Sequence, residues 1–409
     1  MNRLVSNIPE IRTGQDLLKL LESLPEYDKN ICNESASIRL MELENIYNIY
    51  IPSQMSCEIY NKLYMSIIHS LMKKESKIAI RQGYENFKQK NKGISYGLIG
   101  GSDSFTITGV SGIGKSASIE RAIEAITENK IICVDEPLLK VIPCLIVQCP
   151  FDCSVKGLLL EILRKVDEEL GTDFHIGYVK NKATVDVLIG AISQVCLNHV
   201  GLLIVDEIQN VVNNRKGYNL VAILTQLINS SGISICMVGT PEAGAFFERE
   251  NYLARRAIGL KYSNHSYNDY FEKFCTMLFK YQYIKKRTEI NKEFLDWLYE
   301  HSRGILSNVI ALFHDAQEIA IMTSKEVLSI EVFEDAYKNR MENLHNYIET
   351  QTQIKVIPKV RRRKPKYEIV SEIDTADFSI KDIADKAKME NLNVVELLKE
   401  KINVVEVLV

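Results

Sequence analysis

The sequence predicts an α/β fold in which a parallel sheet is preceded by a mainly helical arm and followed by a helical region. Between residues 96 and 262, short apolar segments rich in β-branched residues alternate with amphipathic segments of helical spacing. This alternation is typical of a parallel sheet that is covered by helices on both faces. From residue 263 to 350 the strand pattern is lost and only helical spacing remains.

The elements follow from these patterns in chain order. The predicted strands are Phe105–Thr108, Cys144–Gln148, Gly201–Val205 and Ile233–Val238. The helices that connect them are Ser116–Thr127, Val155–Leu170, Thr184–Asn198 and Leu220–Ser230. The later helical region is predicted as Asn268–Gln282, Lys292–His301, Asn308–Thr323 and Ser329–Asn346.

The structure of the two ends of the chain is predicted from their composition and from the spacing of apolar residues. In residues 1–95 the amphipathic stretches Gln15–Leu24 and Ser56–Lys73 predict helices, and the aromatic-rich stretch Leu43–Ile51, which stops at Pro52, predicts an extended segment. In residues 351–409, Lys355–Lys366 holds two prolines and seven Lys/Arg and predicts an exposed linker. We therefore expect four parts, namely 1–95 as a partner-binding arm, 96–262 as the α/β domain, 263–350 as a helical lid and 351–409 as a partner-binding tail.

Composition limits the classes of protein that need to be considered. The 409 residues are 46% hydrophobic and 25% charged, which is ordinary for a globular chain. A formal net charge of −3 argues against a uniformly basic nucleic-acid coat but leaves room for a local basic face. Nine scattered cysteines, of which Cys144, Cys149 and Cys153 cluster without a zinc-binding spacing, predict reduced core thiols. We find neither a signal peptide nor a membrane span, and expect a cytoplasmic protein.

A glycine-rich segment after the first predicted strand carries the clearest chemical signal. It fits the pattern G-x-x-x-x-G-K-[ST] and lies between a strand and a helix, as phosphate-binding loops do. Its backbone N–H groups and the helix N-terminus would hold phosphate oxygens, Lys115 would add a mobile cation, and the Ser116 hydroxyl would bind Mg²⁺. The segment predicts ATP as the ligand through Gly109, Val110, Ser111, Gly112, Ile113, Gly114, Lys115, Ser116 and Ala117.

Hydrolysis also needs an acid that orients the metal shell and a base. The buried strand Leu202–Val205 is followed by Asp206 and Glu207, at the strand end where ligands of open α/β sheets bind. We predict that Asp206 orients Mg²⁺ and that Glu207 polarises the attacking water. A second copy, Ile131–Glu136, begins only 16 residues after Lys115 and is followed by proline, so a surface hairpin is expected there.

Three further residues complete the predicted site. Thr240 follows the strand Ile233–Val238 and would reach between Glu207 and the γ-phosphate, or would merely cap the turn. Arg255 and Arg256 stand at the end of the α/β region, where one of them could enter the site of a neighbouring subunit. Spacing does not choose between these two arginines.

Several blocks in order resemble the TnsC-type AAA+ ATPases, the transposition regulators of Tn-seven-like transposons. The blocks include Cys149-Pro150, Gly201–Asn210, Gly239–Ala243, Ala254–Gly259 and Ser302–Ile305, and the similarity covers roughly residues 40 to 345. The chain departs from the pattern of many AAA+ lids, because Leu306-Ser307-Asn308 stands where an arginine is usual. Whether Arg303 substitutes for that arginine is left open.

The resemblance implies an ATPase that assembles as a ring or helical filament on double-stranded DNA. It further implies that the protein links a target selector of TniQ or TnsD type to transposase subunits of TnsA or TnsB type, in the bacterial cytosol at the nucleoid. Contacts with DNA would be made mainly to phosphates, with Lys156, Arg215 and Lys216 as candidates. Two other classes stay open, a replication initiator or loader and a nucleotide-switched signalling scaffold that does not bind DNA.

Overall fold

The computed structural model describes residues 3–75, 104–128, 131–134, 139–212, 214, 217–248, 259–341 and 389. By compactness the chain divides into two units, Met1–Thr352 and Gln353–Val409. All but one of the described residues belong to the first unit, so the fold below is that of the first unit.

A six-stranded sheet forms the centre of this unit. Its strands are β1 (Phe105–Gly109), β2 (Ile132–Val134), β3 (Leu139–Gln148), β4 (Val200–Asp206), β5 (Ser234–Gly239) and β6 (Leu260–Tyr262). They lie in the order β2-β3-β4-β5-β1-β6, and every pair is parallel except β2 with β3. The parallel core is as predicted, but the sheet is mixed at this edge, where the expected hairpin of the early Asp-Glu copy is confirmed by the pairing of Ile132 with Val141.

The described residues before position 259 form nine α-helices. They are α1 (Gly14–Leu21), α2 (Ala36–Leu43), α3 (Gln54–Glu75), α4 (Lys115–Ile126), α5 (Val155–Leu170), α6 (Phe174–Lys180), α7 (Val185–His199), α8 (Gly217–Ser231) and α9 (Pro241–Glu248). Six of them begin and end close to the predicted positions, whereas α2, α6 and α9 were not predicted. The start of α5 is set by Ser154, whose hydroxyl accepts a hydrogen bond from the N–H of Gly157 at 3.1 Å. Its end is set by Gly171, which takes a left-handed conformation with φ 69°.

The region predicted as a lid, which is called the lid below, contains four α-helices within its described residues 263–341. They are α10 (Asp269–Leu278), α11 (Lys292–Ser302), α12 (Leu306–Met322) and α13 (Ile330–Ala336), and a π-helical turn at Tyr337–Met341 follows the last of them. Asn268, Asn291 and Ser329 cap three of these helices through side-chain oxygens, which explains why the predicted starts were close.

One local prediction in the N-terminal region was wrong. Most of Leu43–Ile51 is not extended, because Leu43 ends α2 and Glu44–Asn48 forms a 3₁₀-helix. Only its end is extended, where Tyr50 pairs antiparallel with Ser23. Leu43, Ile46 and Ile49 are buried at a spacing of three residues, which is the repeat of a 3₁₀-helix. The aromatic residues and Pro52 indicated an extended segment, whereas the three-residue spacing of the buried residues indicates a 3₁₀-helix.

The described residues bury three apolar cores. One lies between the sheet and α5, α7 and α8, and another lies on the opposite face, where α1, α3 and α4 pack. The third core belongs to the lid, and Leu43, Ile46, Ile49 and Ile51 from the N-terminal region contribute to it. The N-terminal segment therefore contacts both the sheet and the lid.

Candidate functional site

The glycine-rich loop forms the turn between β1 and α4. Gly112 and Gly114 have φ values of 82° and 99°, a region that side-chain-bearing residues rarely adopt. The Lys115 ammonium is half-buried against this loop and donates hydrogen bonds to the carbonyl oxygens of Gly109 at 2.8 Å and Val110 at 2.9 Å. Burial lowers the pKa of Lys115, although nearby carboxylates act in the opposite direction.

The hydroxyl and carboxylate predicted to hold Mg²⁺ are in direct contact. Ser116 Oγ donates a hydrogen bond to Asp206 Oδ2 at 3.2 Å, although the two residues are 90 positions apart in the chain. Asp206 ends β4, which lies between β3 and β5 in the middle of the sheet. A hydroxyl and a carboxylate oxygen at this separation fit a hard divalent cation, since Mg²⁺ is bound in proteins by one or two carboxylates together with phosphate oxygens and water.

Glu207 lies immediately beyond the strand in an unusual backbone conformation. Its φ of 56° and ψ of 33° are left-handed, which costs a residue with a side chain about 1–3 kcal/mol. The conformation is held because the Glu207 N–H donates to Asp206 Oδ1 at 2.7 Å. The Glu207 carboxylate is exposed at the cleft and accepts a hydrogen bond from the Gln209 amide.

These residues line one cleft of about 480 Å³, which is within the usual size of a small-molecule site. One half of the cleft is polar and is built by the glycine-rich loop and the ends of β4 and β5. The other half is largely apolar and combines the N-terminal region with the lid. Its lining residues include Tyr47, Ile49, Tyr50, Ile51, Met55, Tyr270, Phe274, Leu306 and Ile310. A nucleotide fits this division, because its phosphates need the polar half and its base needs an apolar wall.

The lid contacts the glycine-rich loop directly. The Ser307 N–H donates to the Gly112 carbonyl at 3.1 Å, and a Cβ added to Gly112 would clash with Ser307 Oγ. His265, before α10, also approaches the loop, with Nε2 3.5 Å from the Ile113 carbonyl. Arg303 follows the last residue of α11 with φ 55° and is not among the residues that line the cleft. The lid residues that line it are Tyr270, Phe274, Leu306, Ser307 and Ile310.

The structure brings together the predicted loop, acid, base and strand-tip residue. Thr240 lies at the end of β5 and lines the same cleft as Lys115, Asp206 and Glu207. The other cleft-lining members of the predicted loop are Ser111, Gly112, Ile113, Gly114, Ser116 and Ala117, and Gly109 and Val110 precede them.

The remaining predicted residues do not line this cleft or cannot be placed. Lys156 is exposed in the first turn of α5 and is not among the residues that line the cleft. The other predicted residues lie outside the described residues, namely Asp135, Glu136, Arg215, Lys216, Arg255 and Arg256.

Two residues of the site were missed from the sequence. Gln209 contacts both Glu207 and the backbone of Thr240, and Ser307 contacts Gly112. Gln209 stands two positions after Glu207, so its place in the Asp-Glu-Ile-Gln run was the only available signal. Ser307 gave no signal, because its contact depends on how the lid packs on the loop.

Two expectations drawn from composition can be compared with the described residues. All nine cysteines are free. Of the predicted core thiols, Cys149 and Cys153 are buried and Cys144 is half-buried, whereas Cys133 is exposed. In the described part of the chain, no single helix is long and apolar enough to span a membrane. Only the pair α11 and α12, bent by 119°, reaches that length and composition when the two are joined.

One family model matches part of the chain. Residues 100–246 match the family model described as "AAA domain". No curated protein matches the sequence. The chain shares 15% identity with the ORC1 protein of Aeropyrum pernix solved in complex with DNA, covering 64% of each chain with a TM-score of 0.40.

Two other solved structures are similar at the same low level. For Drosophila ORC bound to DNA, the identity is 12%, the shares are 97% of this chain and 83% of that chain, and the TM-score is 0.42. For RuvB of Thermotoga maritima, the identity is 11%, the shares are 64% and 67%, and the TM-score is 0.35. Similarities of this size say nothing about activity. Together with the matched family model and the geometry of the loop, the six-stranded sheet shows that the chain contains an AAA+ ATPase domain with the P-loop fold.

Proposed function

We propose that this protein hydrolyses ATP as a DNA-dependent, oligomeric regulator of transposition. The single observation that carries the catalytic part is the meeting of Ser116 and Asp206 at 3.2 Å, with Glu207 next to them and Lys115 in the same cleft. The regulatory part rests on the ordered motif blocks that resemble TnsC-type ATPases.

The polar residues predicted for the site each have a proposed role in hydrolysis. The loop N–H groups and Lys115 bind the β- and γ-phosphates, for which Lys115 exchanges its present bonds to the Gly109 and Val110 carbonyls for phosphate oxygens. Ser116 and Asp206 would hold Mg²⁺, which neutralises charge on the phosphate oxygens when it is bound. Glu207 polarises the attacking water, and Thr240 contacts the γ-phosphate side of the cleft.

Assembly of several subunits is the second part of the proposal. Glu207 is exposed at the cleft, so an arginine from a neighbouring subunit, Arg255 or Arg256, can approach the same phosphate. ATP bound between subunits would then favour assembly on DNA, and hydrolysis would favour disassembly. In this arrangement, ATP binding and hydrolysis would determine when the protein contacts a target selector and a transposase.

DNA contact is assigned to three cationic side chains that would bind phosphates. Lys156 is exposed in the first turn of α5, in the connection that follows the C-terminal end of β3. Arg215 and Lys216 follow the Asp206–Glu207 segment in the chain. Phosphate contacts give affinity without a fixed target sequence, as a transposition regulator needs.

The proposal is tested by ATPase rates with and without duplex DNA, followed by negative-stain imaging. We expect DNA to stimulate turnover, Glu207→Gln to bind ATP but to leave persistent filaments, and Lys115→Ala to abolish assembly. Glu124→Gln is the matched control, since this exposed carboxylate on α4 pairs only with Arg121 among the described ion pairs. Normal turnover in the Glu207 variant would refute the role of Glu207, and a rate that ignores DNA would favour the scaffold class.

A salt titration tests the DNA residues separately. Changing Lys156 and Arg215 together to alanine should reduce the slope of log affinity against log salt by about 1.8, or about 0.9 for each phosphate that the protein no longer neutralises. Lys180→Ala, an exposed lysine at the end of α6, is the control and should leave the slope unchanged. An unchanged slope in the double variant would remove both residues from the interface.

A further inference from the structure

Gln209 joins the two polar residues of the cleft that come from neighbouring strand ends. Its Nε2 donates a hydrogen bond to Glu207 Oε2, and its Oε1 accepts a hydrogen bond from the Thr240 N–H at 3.3 Å. Thr240 is 31 residues further along the chain, at the end of β5, whereas Glu207 follows β4. One side chain therefore connects the two strand ends through both ends of its amide.

The segment that carries Gln209 is anchored on both sides. Gln209 belongs to the 3₁₀-helix Ile208–Val211, whose first and last residues are fully buried in the core against β4 and β5. The Asn210 amide donates to the Cys149 carbonyl at 2.9 Å, which ties the segment to the end of β3 as well. These contacts leave the Gln209 side chain few positions to occupy.

Gly239 makes room for this side chain. A Cβ at position 239 would lie 2.7 Å from Gln209 Oε1 and 2.9 Å from Ile208 Cγ2, both closer than real Cβ contacts. The Gln209 amide is therefore packed against bare backbone at the last residue of β5. A movement of this strand end changes the position of the amide.

The chemistry of the two partners fixes the orientation of the amide. A carboxylate can only accept hydrogen bonds and a backbone N–H can only donate, so the NH₂ group must face Glu207 and the carbonyl must face Thr240. A glutamate at 209 would place a second acceptor against the Glu207 carboxylate, and an apolar side chain would make neither bond. Both functions of the amide are used.

We infer that Gln209 is a positioning residue that orients the Glu207 carboxylate and makes its position depend on the end of β5. This inference rests on the proposed function, because Glu207 must act as the base for its orientation to matter. Contact of Thr240 with the γ-phosphate would then be transmitted to Glu207 through Gln209. The orientation of the Glu207 carboxylate would therefore depend on whether the γ-phosphate is bound.

The experiment compares Gln209→Met and Gln209→Ala with the unchanged protein. Methionine fills nearly the same volume beside Gly239 but makes neither hydrogen bond, so the fold should be kept even if the alanine variant is unstable. We expect kcat to fall about tenfold to a hundredfold, which is part of the roughly 10² to 10⁴ that a general base supplies, with ATP affinity within about twofold. Gln226→Met, an exposed glutamine on α8, is the control and should have normal kcat.

A double-mutant cycle separates positioning from a merely structural effect. Gln209→Met and Thr240→Val should each lower kcat with little change in KM, and their effects on kcat should be non-additive because the two residues act through one contact. Additive effects on kcat, or a loss that appears only in KM, would overturn the inference.

The outcome is distinguishable from failure of the proposed function. If Glu207→Gln hydrolyses ATP normally, the proposed base is wrong and the inference fails with it. If Glu207→Gln is inactive but Gln209→Met has full kcat, only the positioning role of Gln209 is refuted.

Discussion

The ion pair between Arg39 and Glu326 should be the strongest single connection between the N-terminal region and the lid. Arg39 is 1% exposed on α2, and its Nη1 and Nη2 each lie 2.7 Å from a different oxygen of Glu326, in the loop after α12. Arg39 Nη1 also donates to the Tyr283 carbonyl at 2.9 Å, and Nε donates to the Glu34 carbonyl at 3.2 Å. The hydrogen bond from Arg39 and the attraction of its charge lower the pKa of Glu326.

The size of the effect follows from burial. Glu326→Met leaves the Arg39 charge without a counter-ion in a site that water does not reach, which costs about 3–5 kcal/mol. Arg39→Met should cost less, because the Glu326 side chain is 15% exposed and can turn towards water. For the 352 residues of the first unit, an unfolding entropy of about 0.7 kcal/mol per kelvin makes 3–5 kcal/mol a loss of about 4–7 °C in Tm.

The assay is scanning calorimetry of the two single variants and of the Arg39→Met/Glu326→Met double variant. The double variant should recover most of the loss, since replacing both charges by apolar groups is often neutral or stabilising. Lys325→Met is the matched control, because its bonds to Glu331 and Asp335 are exposed to solvent and should contribute little to stability. Equal losses in the Glu326 and Lys325 variants, or additive losses in the double variant, would refute the reasoning.

Two further predictions follow from the described contacts. Gly112→Ala should weaken ATP binding at least about tenfold, because a left-handed φ costs alanine about 1–2 kcal/mol and its Cβ would clash with Ser307 Oγ. The control is Gly190→Ala, in the interior of α7 with open space around it. This substitution should instead raise stability by about 0.5–1 kcal/mol. Equal effects of the two substitutions on ATP binding, measured by titration calorimetry, would contradict this. Burial lowers the pKa of Lys74 to about 8. Between about pH 8 and pH 10.4, the unfolded chain therefore holds a proton that the folded chain has released. Over this range the stability of the unchanged protein should rise with pH relative to that of Lys74→Met. Urea unfolding at several pH values measures the difference, and a constant difference would show that Lys74 stays charged in the folded state.

The sequence by itself determined the elements that depend on local signals. Alternation of apolar segments predicted four strands of the sheet, and the helical spacing of apolar residues predicted most of the helices around it. The glycine-rich loop and the Asp206–Glu207 pair were also predictable, because each combines a residue pattern with a position at a strand end. The prediction for Leu43–Ile51 was wrong for a local reason, since a repeat of three residues was read as an extended chain.

Only the tertiary structure decided which distant residues meet. The 3.2 Å contact of Ser116 with Asp206 was anticipated, but the apolar wall from Tyr50 and Ile310, the Ser307 bond to Gly112 and the double contact of Gln209 were not. These contacts depend on the strand order and on how the lid and the N-terminal region pack on the loop. A residue pattern indicates local conformation and chemistry. The contacts named here join chain segments that are tens to hundreds of residues apart, and no local periodicity determines which distant segments pack together.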